Sequence, residues 1–95
     1  MTARRIDVAP GDDVAALVAA NPGCDLILVL RPGRDPVAQA MAEAAIGPLA
    51  VAAAPDARVN AVICRDSASD QAVAAAVAYL AAAHAVTGQL LTLGS

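Results

Sequence analysis

The sequence predicts a three-layer α/β domain, with a four-stranded parallel sheet in sequential order and three helices. Three observations lead there. Strand-like and helix-like segments alternate along the chain, the order that places strands side by side in parallel. The segment Leu26-Ile27-Leu28-Val29-Leu30 is apolar at every position, as a strand covered on both faces must be. Turn-forming pairs, among them Pro22-Gly23, Asp35-Pro36 and Pro55-Asp56, punctuate the periodic segments.

Arg4 to Val8 is the first strand, short and half polar, and the weakest of the four. Asp12 or Asp13 caps a helix whose Val14, Leu17 and Val18 share a face, and Pro22-Gly23 ends it. Leu26 to Leu30 follows as a central strand. Asp35 then supplies a cap and Pro36 a first-turn proline for a helix running to Ala54. Pro48 is expected to kink or interrupt that helix, because its ring clashes with the carbonyl of Ala44. Val59 to Cys64 is the third strand. Ser67 or Ser69 caps the third helix, from about Ser69 to Ala83, with Val73, Val77, Leu80 and His84 along one stripe. Thr87-Gly88 turns the chain into the last strand, Gln89 to Leu93.

Residues 1–95 make one small domain. The 59% hydrophobic content suits a packed core and excludes a disordered tail. Much of that share is alanine, and Tyr79 is the one aromatic residue, so the core is expected to be thin and self-association to stabilise it. No run of about eighteen apolar residues is free of charges and breakers, which argues against a membrane span. Arg4 and Arg5 are followed by acids rather than a signal-peptide core, and Cys24 and Cys64 do not form a disulfide framework. Cytoplasm is the expected compartment. The net charge of −3 and the lack of a basic run argue against nucleic-acid binding.

Two words carry a resemblance: Arg58-Val59-Asn60-Ala61-Val62 and, beyond an alanine-rich helix, Thr87-Gly88-Gln89. With the alanine-rich helix that ends in Ala54-Pro55, their order resembles the C-terminal half of a short-chain dehydrogenase/reductase, over roughly Asp35 to Gly94. The resemblance implies a Rossmann-like half-domain whose final crossover is left-handed. It also implies subunits joined through the helix before the Arg-Val-Asn strand and through the last strand.

The chemistry of that family has no counterpart in these residues. Its Tyr-x-x-x-Lys pair opens the helix before the Arg-Val-Asn strand. Those positions fall on Asp35 and Gln39 counted back from Pro55, or on Arg34 and Ala38 counted back from Arg58. Neither register offers a phenol or an amine for proton transfer, and the chain contains no Lys. No Gly-x-Gly turn is present to admit a pyrophosphate, and the loop bearing the family's catalytic Ser has no counterpart. Cys64-Arg65 replaces the family's Pro-Gly beside the nicotinamide. The expectation is a module with no cofactor and no catalysis of its own, partnered by itself or by a full-length reductase.

Residues that could still carry a site are few. Arg31, Gly33 and Arg34 follow the second strand and Arg65 the third, at the carboxyl edge where open α/β sheets bind ligands. Guanidiniums beside free helix amides there could hold a phosphate or carboxylate. They could equally be solvated charges with Asp35 and Asp66 as local partners. His84 reads as structural, Cys24 and Cys64 as small buried hydrophobes, and Tyr79 as a partly buried packing residue. No zinc ligand set is spaced for convergence. Ser67, His84 and Asp66 offer the residue types of a hydrolytic triad without a nucleophile elbow.

Handedness bears on assembly. Right-handed crossovers between sequential neighbours put every helix on one face, leaving the other side of Leu26–Leu30 and Val59–Cys64 bare. Moving the last helix to the second face remedies this in part. A homodimer is therefore expected, through Pro36–Ala54, the Gln89–Leu93 edge, or the exposed sheet face.

Overall fold

The computed structural model describes residues 3–94. The elements are β1 (Arg4–Val8), α1 (Val14–Ala19), β2 (Leu26–Leu30), α2 (Pro36–Ala53), β3 (Val59–Cys64), α3 (Asp70–Ala82) and β4 (Leu90–Leu93). All strand pairs are parallel and the order is β1-β2-β3-β4. The predicted architecture is present.

Each helix begins where a short acceptor side chain meets a free backbone N–H. Ala16 N–H donates to Asp13 Oδ1 at 3.3 Å, Ala38 N–H to Asp35 Oδ1 at 2.9 Å, and Ala72 N–H to Ser69 Oγ at 3.1 Å. Ser69, rather than Ser67, is thus the third cap. Pro48 does not interrupt α2, which runs unbroken through it. Pro48 and Ala44 both face solvent, where the carbonyl deprived of its helical partner can be hydrated.

The two faces of the sheet are covered by different helices. On the first, Val14 of α1 and Ile46 and Ala50 of α2 pack on Val8, Leu28, Leu30, Val59, Ala61 and Ile63. On the second, Val73, Ala76 and Leu80 of α3 pack on Ile27, Val29, Val62 and Cys64. With sequential strands, this gives the third crossover the opposite hand to the first two.

The expected bare sheet face is not there. Every residue of β2 and β3 is buried within the single chain. The reach of α3 is extended by Ala3, Ala68 and Val86, which pack on the same cluster. Beyond them the second face of β1 is polar: Asp7 pairs with Arg5 and with Arg31, each at 2.7 Å. A charged strip needs no apolar cover.

Among the described residues one helix, Pro36–Ala53, is long and apolar enough by length and composition to cross a bilayer. Here it forms part of the first helical layer, with Ile46 and Ala50 buried against the sheet.

Candidate functional site

The two words of sequence that stand out, Arg58-Val59-Asn60 and Thr87-Gly88-Gln89, form one hydrogen-bonded unit. Val59 N–H donates to Thr87 Oγ1 at 3.1 Å, and Gly88 N–H donates to the Val59 carbonyl at 2.8 Å. Asn60, buried on the second face, donates through Nδ2 to the Val86 carbonyl at 3.0 Å. Its Oδ1 accepts from Gln89 N–H at 3.0 Å. The amide thus holds the chain where it leaves α3 and enters β4. These residues are conformational fasteners rather than reactive groups.

Arg58 fastens the same corner from below. Its backbone N–H donates to Asp25 Oδ1 at 2.9 Å, and Nη2 lies 3.1 Å from Asp25 Oδ2. Nη1 donates to the Ala83 carbonyl at 2.7 Å and to the Leu80 carbonyl at 3.2 Å, so one guanidinium caps the end of α3. Burial raises the Asp25 carboxyl, but hydrogen bonds from the Arg58 backbone and side chain, with its charge, outweigh this and hold it below its ordinary value.

The carboxyl edge of the sheet holds a polar pocket of about 210 Å³. Gly33, Arg34, Gln39, Glu43, Cys64, Arg65 and Asp66 are among the residues that line it. Three of the four residues singled out from sequence therefore meet there. Arg31 does not: its guanidinium turns to Asp7 on the second face. Arg34 is also engaged, donating to the Ala9 carbonyl at 2.8 Å and the Arg31 carbonyl at 3.0 Å. The partners differ from those expected, since Asp35 caps α2 and Asp7 takes Arg31. Glu43 escaped the sequence reading; its one signal is the i,i+4 spacing from Gln39, whose Nε2 donates to Glu43 Oε2 at 2.8 Å.

What this pocket can do chemically is limited by its side chains. The described residues that line it include no phenol and no amine. Burial pushes the Cys64 thiol up, which disfavours the thiolate a nucleophile needs. Asp66 and Ser67 follow β3 at this edge. His84 follows α3 at the opposite edge, past the helix end and exposed, so the three do not converge. Its place beyond Ala82 corrects the expectation that it lies on the helical stripe. Tyr79 and Cys24 are corrected too: Tyr79 is exposed and Cys24 only half-buried. Among the described residues no three His, Cys, Asp or Glu gather into a metal-binding group.

No curated protein and no solved structure matches this chain. A family model described as SDR-like, short chain dehydrogenase-like protein, matches residues 5–93. That span takes in every strand and helix described above except Arg4, the first residue of β1, and the corner built by Arg58, Asn60, Thr87 and Gly88 lies inside it. The chain belongs to the short-chain dehydrogenase-like family.

Proposed function

We propose that this chain is a non-catalytic module of its family that works by associating with a second copy of itself. The observation that carries the reading is the outer face of α2. Val37 and Met41 are each 69% exposed and Val51 is 77% exposed, all on the side of the helix turned away from the sheet. Ala40, Ala44 and Pro48 complete the exposed stripe, which bears no charge. Its layout is self-complementary about Ala44. In an antiparallel pair Val37 meets Val51 of the second copy, Met41 meets the Gly47-Pro48 turn, and Ala44 meets Ala44. Small residues at the centre let the two helices approach closely, and a two-fold axis satisfies both copies with one patch. The β4 edge offers less, since its one large exposed apolar residue, Leu90, is 39% exposed.

Sedimentation velocity at micromolar concentration tests this. The wild type is expected as a dimer, and Met41→Glu or Val51→Glu as a folded monomer with unchanged far-ultraviolet circular dichroism. A wild-type monomer would overturn self-association; specific capture of a full-length reductase by that monomer would support the accessory-subunit reading instead. Two free cysteines, Cys24 and Cys64, accord with the cytoplasm as its compartment.

A second reading is a small anion-binding protein. What supports it is that Gly33, Arg34 and Arg65 line one pocket at the carboxyl edge. In this reading phosphate raises the melting temperature and Arg65→Ala removes the shift. A shift that survives Arg34→Ala and Arg65→Ala together places the anion elsewhere.

A further inference from the structure

We propose that the trough between the ends of α1 and α2, at the amino edge of the sheet, binds a small organic ammonium ion with an apolar body. The trough measures about 350 Å³, within the range of small-molecule sites. Buried Leu26, Ala57 and Val59 contribute its apolar base, and half-buried Val18, Leu49 and Ala53 its sides. A sugar or a phosphate finds no set of polar partners on such a lining.

The charge at the mouth decides the class of ligand. The 18-residue helix α2 ends here with no basic residue in its last turn; its Ala50 and Ala53 carbonyls accept from the Ala54 and Ala57 N–H groups, and the negative end of the helix dipole remains at this end. Asp56 is the one charged side chain among the described residues that line the trough. Asn21 also lines it but is already satisfied: Oδ1 accepts from Arg4 at 2.7 Å and Nδ2 donates to the Leu17 carbonyl at 2.8 Å. Arg4 is thus held by the amide. An ammonium group at Asp56, with its hydrocarbon over Leu26 and Val59, matches both the charge and the lining. This site uses none of the α2 stripe proposed for self-association.

Calorimetric titration with hexylammonium, and with 1-hexanol and hexanoate as controls of equal length, tests the assignment. Saturable binding of hexylammonium is expected, with Asp56→Asn weakening it about threefold to fivefold, the range of an exposed ion pair. Ala19→Leu, at an exposed lining position on α1, is expected to fill the trough and abolish binding while circular dichroism stays native. Cys24 lines the trough and supplies a second readout, because bound hexylammonium should slow its alkylation by N-ethylmaleimide. Hexanoate binding as well as hexylammonium, no saturable heat for hexylammonium, or full affinity in folded Ala19→Leu would each overturn the proposal.

Discussion

Arg58 and Asp25 hold each other at two levels, through the backbone N–H at 2.9 Å and through the guanidinium at 3.1 Å. The Leu26 N–H donates back to the Arg58 carbonyl at 2.8 Å, so the pair sets the start of β2 beside the start of β3. The same guanidinium ends α3. Three elements thus meet on one side chain.

Arg58→Ala should therefore be among the most destabilising single changes. It leaves a carboxylate only 17% exposed with only the residue-58 backbone N–H of its Arg58 donors, and removes the donors from the end of α3. A loss of about 2–4 kcal/mol is expected, and Arg58→Lys should recover little because an ammonium lacks the planar fork. Urea unfolding followed by circular dichroism measures it. A loss below about 0.5 kcal/mol, the range of an ordinary surface change, contradicts this role.

Asp7 makes stability depend on acid. The hydrogen bond from Arg5 is the largest influence, opposed by some burial and aided by Arg31, and it lowers the carboxyl from its ordinary 3.8 to about 2. A depressed folded value means the contribution is full above about pH 4 and is lost as pH falls toward about 2. Because the pair is exposed, the effect should stay below about 1 kcal/mol. The melting-temperature gap between wild type and Asp7→Asn should close across that window. A gap independent of pH excludes the linkage.

Two glycines should respond in opposite directions. At Gly94, φ is +83° and an added Cβ would lie 2.7 Å from the Ala68 backbone nitrogen. Gly94→Ala should cost about 1–3 kcal/mol through strain at the end of β4. Gly47 lies within α2 with open space beyond it, so Gly47→Ala should add about 0.5–1 kcal/mol by helix propensity. Chemical unfolding of both variants in a Met41→Glu background separates this effect from self-association. Equal signs would refute the assignment of the two positions.

Nicotinamide binding is expected to be absent. These residues contain no Gly-rich turn, and the described residues that line the pocket at the carboxyl edge include no phenol and no amine for proton transfer. Titration of the purified chain with NADH and NADPH should give no saturable heat. A micromolar dissociation constant for either cofactor would reverse the non-catalytic reading.

The strands and helices were legible in the sequence because each carries its own local signal. A fully apolar run marks β2, and Asp13, Asp35 and Ser69 each meet an N–H three residues on. The family was legible too, since Arg58-Val59-Asn60 and Thr87-Gly88-Gln89 stand in the order and spacing that carry the resemblance. What local signals could not decide is the direction a long side chain takes. Arg31 and Arg34 both follow β2 and Arg65 follows β3, yet Arg31 turns to Asp7, 24 residues earlier, and Arg34 to the Ala9 carbonyl. Nor could they place Glu43 in the pocket, because its neighbours there come from loops after two different strands.

The sequence by itself determined the order of elements and their boundaries to within a residue or two. Those follow from periodicity, capping chemistry and turn residues, which act over a few positions. The tertiary structure alone decided how the second sheet face is closed. Coverage by α3, Ala3, Ala68 and Val86, and a charged strip of Arg5, Asp7 and Arg31, depend on which segments meet across the sheet. Burial is a property of such meetings, so a bare face inferred from topology became a covered one, and the outer face of α2 was left as the exposed apolar surface.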